Sequence, residues 1–385
     1  MTPDGDARAW LAELAALEVP AGPAPEMTLP GPDLARAWVN RLHLPEPDRE
    51  PVVATLPDPE RTPELWRALA HCHRLLCSDL GAVRPPVAWP HAPQSLGPAG
   101  RYFYVHLYLA ALPRTLDWHR GHGVPARVSW DTLADLGGKM ALHRQVHGVG
   151  GLDKQNWLTR HFRGTLFRLG RLQFDRMLLR PTVFDGMPGP GRAGRPPGTP
   201  APGDAVLDVH IPGDGPLAPD LCDASFAAAR DFFPRHFPHE QHAHAVCRSW
   251  LLDGQLAEQL PATSNIVRFQ RRFQLFPRLL NGDDDVLEFV FGVPPGTADL
   301  SALPQDTTLQ RAVVSHLRAG RHWHRRSGWA ALGTAAAARR GEPPHRARRP
   351  PPDHVPEVHE HKPVPEARYA DRIRRTAPPE RKCRP

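Results

Sequence analysis

Residues 205–236 read AVLDVHIPGDGPLAPDLCDASFAAARDFFPRH. Ala205 to Ile211 has the β-branched and apolar content of a strand, and Pro219 to His236 has the apolar spacing of a helix. Between them stands Gly213-Asp214-Gly215-Pro216-Leu217, a turn of the kind that carries a chain from a sheet into a crossover helix. Such a crossover returns the chain to the same sheet, so a parallel strand is expected next. Residues 243–252, AHAVCRSWLL, supply it: they are largely apolar, as an interior strand should be.

Upstream, Phe167 to Phe174 alternates with period 2, and Arg176 to Phe184 can return as its antiparallel partner. A Gly/Pro-rich stretch over 185–204 is expected to loop away from the sheet edge. Downstream, the pattern predicts helical turns over 254–276, a strand over Val286–Phe291, a helix over 305–319 and a last strand from Trp323 to Leu332. The expected order is β-β-β-α-β-α-β-α-β.

Before residue 160 the apolar period is 3.6 instead. Trp10, Leu11, Leu14 and Leu17 make one helical face, and Leu34, Ala37, Trp38 and Leu42 another. Pro63 opens a helix where its missing N–H does no harm, and helical stretches over about 99–118 and 130–147 follow, with Ser129 or Asp131 as the expected cap. The fold class expected is therefore α+β. A helical domain spans 8–160, a mixed sheet domain 163–334, and a basic Pro/Arg-rich segment 335–385, whose scarcity of aliphatic residues predicts disorder.

The net charge of +7 arises mostly in that last segment. Residues 339–385 hold 13 Lys+Arg and 7 Asp+Glu, leaving 35 and 34 in the rest, so the body is nearly neutral. A nucleic-acid surface carries its positive surplus on the folded face that follows the phosphates, and no such partner is expected. The five cysteines, Cys72, Cys77, Cys222, Cys247 and Cys383, show neither a disulfide framework nor zinc-type spacing. His143 and His147 are four apart on one helix, but Arg144 stands where a zinc peptidase needs its glutamate, so no metal is expected. The start of the chain lacks a basic and apolar leader and no apolar run reaches membrane-spanning length, so a cytoplasmic protein without a membrane partner is the expectation.

The segments VHIPGDGPLAPDLCDASFAAARDFFPRHFP, VCRSWLLD, LPATSNIVRFQRRF and GRHWHRRSGWAAL resemble the GNAT-like C-terminal domain of a group of bacterial acyltransferases, in which a helical N-acyltransferase domain comes first. The likeness spans about 8–332. It implies transfer of an acyl group from acyl-CoA, as co-substrate, to an amine of a small molecule or peptide. It also implies that strands 205–211 and 244–252 splay apart around acyl-CoA at Ile211 and Cys247, and that Gly213, Gly215 and Leu217 receive the diphosphate ahead of the helix.

The turn departs from the usual acyl-CoA pattern: Pro212 precedes it, Pro216 removes an amide donor, and the Asp214 carboxylate would repel a diphosphate. The competing reading is thus a binding or regulatory protein that keeps the sheet without the chemistry. Among candidate catalytic groups, His210 can take a proton from an amine at neutral pH. Ser249 would lie near the thioester, and a Cys247–His210 nucleophilic pair is conceivable. Glu288, in the expected strand 286–291, faces either solvent or a cleft where it could serve as base. Ser264 reads as a helix cap or a substrate contact.

Overall fold

The computed structural model describes residues 5–19, 26–184, 198–294, 296 and 298–333. The expected loose stretch is described only from 198 onward, and the expected disordered segment 335–385 lies outside the described residues.

The first half is helical: α1 (Gly5–Ala15), α2 (Pro32–Arg41), α3 (Glu46–Ala54), α4 (Pro63–Ser78), α5 (Gly97–Arg101), α6 (Phe103–Gly121), α7 (Ala126–Leu133), α8 (Asp135–His147) and α9 (Gln155–Phe162). Helix α6 is buried continuously from Phe103 to Leu112, which makes it the axis of this core. Trp10 of α1 meets Phe103 edge-on at 4.8 Å, and Leu69, Leu75 and Leu76 of α4 close another side. Each such side chain contributes on the order of 1.5–3 kcal/mol by leaving water. Pro63 opens α4 as expected. Ser129 and Asp131 do not cap a helix: both lie inside α7, Ser129 buried and Asp131 facing Arg127 one turn earlier.

The second half runs β1 (Leu166–Leu169), β2 (Leu172–Leu178), β3 (Ala205–His210), α10 (Pro219–His236), β4 (His244–Ser249), α11 (Gln255–Gln259), α12 (Asn265–Gln270), β5 (Gln274–Asn281), α13 (Asp283–Phe291), α14 (Thr308–Arg318) and β6 (His324–Ala331). The sheet order is β1-β2-β3-β4-β6-β5. Among the described strands only β3 and β4 pair in parallel, joined by the α10 crossover.

The order of elements agrees with the sequence reading, but three placements shift. The first hairpin turns at Gly170-Arg171, where Gly170 takes φ +73°, so β2 starts at Leu172 and ends before Pro181. Residues 286–291 are helical rather than extended. Three aspartates in the first turn of α13 favour its N-terminus, and Gly292 ends it in the left-handed region. The displaced strand is β5, an edge strand whose Pro277 and exposed Leu279 obscure any alternation.

One face of the sheet is apolar. Phe167, Phe174, Leu207, Val209, Ala245 and Cys247 pack there against Phe226, Phe232 and Phe233 of α10 and Phe269 of α12. The opposite face holds Val206 and Val246 in a small cluster with Phe276 and Trp329, and then turns polar toward the C-terminal ends of β3 and β4. Helix α9, which leads directly into β1, lies over those polar ends.

Candidate active site

Asp208 and His210 project from β3 to the face away from α10. The register sets Asp175 beside Asp208 and Gln173 beside His210 on β2, while Arg248 of β4 reaches across to donate from Nη2 to Asp208 Oδ2 at 2.8 Å. Arg160 of α9 donates to Asp175 Oδ2 at 3.0 Å. His210 Nε2 lies 3.5 Å from Asp208 Oδ2, and its side chain is 15 % exposed.

Four atoms in this block are buried and find no hydrogen-bond partner within the protein: Gln173 Nε2, Asp175 Oδ1, Asp208 Oδ1 and His210 Nε2. Buried polar atoms in native proteins are normally paired with protein, water or ligand, so a contiguous orphaned group on one sheet face is a place where bound water or a ligand can complete the bonding. Burial pushes the His210 imidazole down to about 4, against the pull of Asp208, and Arg160 adds to the lowering. The ring is thus neutral at pH 7, the form that accepts a proton. Burial opposes ionisation of Asp208, but Arg248 and His210 hold its carboxyl below the usual range.

Above the block, the Trp157 ring meets His210 edge-to-face at 4.6 Å and 79°. Together with Arg160, Arg248, Arg278 and Arg325 they line a cleft of about 330 Å³. A second cleft of about 500 Å³ shares Arg160 and Arg248 and continues between the 83–86 segment and β2.

The pairing of β3 with β4 ends at Val209 and Cys247, while β4 remains paired with β6 through Ser249. The strands therefore part at the level of His210. In the turn that follows, the Arg171 guanidinium donates to the carbonyls of Pro212 at 2.8 Å, Gly215 at 2.5 Å and Pro216 at 2.8 Å. Because a trans peptide sets its N–H opposite its C=O, the amides of Gly213 and Leu217 point away from Arg171. Arg168 donates to Asp214 Oδ2 at 2.6 Å, so the carboxylate that looked repulsive already has a countercharge. A side chain at Gly213 would meet nothing within 4 Å, which leaves its backbone open to approach. Helix α10 then presents its first-turn amides.

The remaining residues singled out from sequence are scattered. Ile211 and Leu217 lie against the apolar core. Cys247 and Ser249 share the face of β4 opposite to Arg248, so the structure does not bring Cys247 to His210. Burial also pushes the Cys247 thiol above the usual range. Ser249 Oγ accepts from the Leu251 amide at 3.1 Å, capping a short 3₁₀ turn. Glu288, buried in α13, pairs with Lys154 Nζ at 2.5 Å and lines neither cleft. Ser264 caps α12 by accepting from the Val267 amide. Among the described residues no three His, Cys, Asp or Glu side chains group as a metal site, and no helix is long and apolar enough to cross a membrane.

Residues 33–164 match the family model of the N-acyltransferase N-terminal domain, and residues 166–330 match the GNAT-like C-terminal domain. The chain belongs to the N-acyltransferases with a GNAT-like C-terminal domain. Solved structures of acyltransferases are similar along nearly the whole folded chain. One, in complex with decanoyl-CoA and teicoplanin, is 39 % identical, with a TM-score of 0.73 and coverage of 86 % of this chain and 96 % of that one. Another, in complex with CoA and 10C-teicoplanin, is 38 % identical with the same TM-score and coverage. So is a mutant acyltransferase in complex with octanoyl-CoA. No curated protein sequence matches this N-acyltransferase. Trp157, Arg160, Arg171 and Asp208 escaped the sequence reading. A carboxylate and an imidazole at alternate positions of an otherwise apolar strand were its one visible trace.

Proposed function

We propose that this N-acyltransferase takes an acyl group from acyl-CoA and places it on the amine of a small molecule or peptide, with His210 as the general base. The observation that carries the reading is the orphaned polar block around His210, where β3 and β4 part. The solved relatives in complex with acyl-CoA and teicoplanin support the same two substrates, and make a glycopeptide amine the first acceptor to try.

The turn fits the co-substrate. Gly213 and Leu217 amides and the first turn of α10 would hold the diphosphate, and Arg171 keeps the turn carbonyls from facing it. Arg168 removes the objection raised by Asp214, one of the three turn residues, with Pro212 and Pro216, that favoured a non-catalytic reading. The bound thioester supplies an acyl carbon open to attack. His210 accepts the proton that the amine loses as the C–N bond forms and the C–S bond to CoA breaks. Asp208, 3.5 Å from Nε2, steadies the imidazolium that results. The guanidinium groups of Arg160, Arg248, Arg278 and Arg325 lower the pKa of an ammonium entering the cleft, which favours the attacking neutral amine.

Decanoyl-CoA with teicoplanin, and with a panel of simpler amines, tests the proposal through release of free CoA thiol. Acceptor-dependent release is expected, falling by roughly 10²–10⁴-fold in His210→Gln while calorimetric affinity for decanoyl-CoA is kept. Absence of measurable decanoyl-CoA affinity in the parent protein would return the chain to the non-catalytic reading.

A further inference from the structure

Trp157 is the residue that covers His210, and its own orientation is set from behind. Its indole Nε1 donates to Asp135 Oδ2 at 2.8 Å. Asp135 opens α8, is 9 % exposed and touches neither cleft. The same carboxylate lies 3.3 Å from Nε2 of His161 and 3.7 Å from Nζ of Lys139. Lys139 and Arg160 stand over the Trp157 ring, at 5.6 and 5.3 Å. Burial works against a charge on Asp135, but Lys139, His161 and the indole hold its carboxyl below the usual range. Among the described residues, the one side-chain hydrogen bond that reaches this buried, charged carboxylate comes from the Trp157 indole, so what it orients is that ring.

We propose that Asp135 is a positioning residue for acyl transfer, holding the Trp157 indole edge-on against His210 and so fixing the cover over that imidazole. The inference rests on the acyl-transfer reading for its catalytic consequence, though not for its geometry. A half-buried tryptophan has two soft torsions, and the cleft it lines would let the ring swing away from His210. The Asp135 hydrogen bond, charge-assisted and shielded from water, removes that freedom. Asp135 thus governs both the cover over His210 and the shape of the cleft wall facing the acceptor.

The test reads the His210 ring directly. In the full-length protein, the histidine ring signals are followed by NMR across pH 4 to 8, with His210 assigned by its loss in His210→Gln. Facing the ring are Asp208 on β3, Asp175 on β2, Arg248 on β4 and Arg160 on α9, with Arg278 and Arg325 lining the same cleft. None of these changes in the variants used. Loss of the Asp135 charge by itself would lower the His210 pKa, whereas loss of the Trp157 cover raises it toward the ordinary value, so the sign separates the two effects. In Asp135→Leu the His210 titration is expected to move up by about one unit or more. Asp135→Asn, which keeps an oxygen for the indole N–H, is expected to show no upward move. Trp157→Phe, lacking the N–H, should shift like Asp135→Leu, and the double variant Asp135→Leu/Trp157→Phe should shift no further.

Turnover with decanoyl-CoA is expected to drop by about tenfold in Asp135→Leu at unchanged decanoyl-CoA affinity, because a loosened Trp157 no longer holds the cleft wall that positions the acceptor. An unmoved His210 titration in Asp135→Leu, or additive shifts in the double variant, would overturn the proposal. Should Asp135→Leu not fold, Trp157→Phe against Asp135→Asn decides alone: equal titrations in the two would overturn it. If His210→Gln left turnover intact while the titrations moved as expected, the catalytic reading would fall and the positioning by Asp135 would stand.

Discussion

The two faces of the same six strands make opposite uses of burial. On the α10 face, Phe174, Leu207, Val209 and Cys247 meet phenylalanines, and every contact is one that hydrophobic packing alone would choose. On the other face, alternate residues of the same strands are Gln173, Asp175, Asp208, His210 and Arg248, held by ion pairs and left with orphaned atoms. Packing gives no reason for two carboxylates and an imidazole in mid-sheet, where unpaired polar groups destabilise by about 1–3 kcal/mol each. The difference separates the surface that makes the fold from the surface that the fold exists to present.

That contrast predicts a crossed pattern of effects. His210→Gln should lose roughly 10²–10⁴-fold in turnover with a melting temperature close to that of the parent. Phe233→Ala, from a side chain that is 1 % exposed, should cost about 3–5 kcal/mol of stability while the fraction still folded turns over normally. Stability measured by denaturant and turnover measured per folded molecule check both arms; a stability loss from His210→Gln as large as that from Phe233→Ala would erase the distinction between the faces.

A smaller effect sharpens the rim of the apolar face. There Arg176 donates to Glu240 and sits over the Phe237 ring at 3.9 Å. Burial opposes the Glu240 charge, but Arg176 and His242 bring its carboxyl down to about 2 from 4.5. A folded-state pKa below the unfolded one means that the ionised group adds stability above pH 4.5, and that this is lost as the pH falls toward 2. Glu240→Gln should therefore unfold at lower denaturant than the parent at pH 7 and converge with it near pH 2. A constant gap across that range would show that the pair contributes only through packing.

Much of this architecture can be read from residues that are neighbours in the chain. The strand 205–210, the Gly213–Leu217 turn, the helix 219–236 and the parallel strand from His244 each carry their own local signal, and so does the change from helical to alternating period near Phe162. Where two periods compete, the reading slips. Val286-Leu287-Glu288-Phe289-Val290-Phe291 satisfies either, and only the preceding aspartates and Gly292 decide for a helix. Strand β5 hides behind Pro277 because only Phe276 is buried in it. The candidate-site block was legible only at His210. Asp175 and Gln173 join it through the β2–β3 register, Arg248 through the crossover, and Trp157 and Arg160 through the docking of α9, none of which follows from local spacing.

The central claim is that the polar ends of β3 and β4 form the acyl-transfer centre, and a crystal structure of the full chain with a non-hydrolysable decanoyl-CoA analogue tests it most directly. The account predicts the diphosphate on the Gly213 and Leu217 amides at the start of α10, the pantetheine arm between β3 and β4 beyond Val209 and Cys247, and the acyl carbonyl beside His210 under Trp157. A diphosphate bound elsewhere, or an acyl carbonyl on the α10 face beside Cys247 and Ser249 and away from His210, would contradict it.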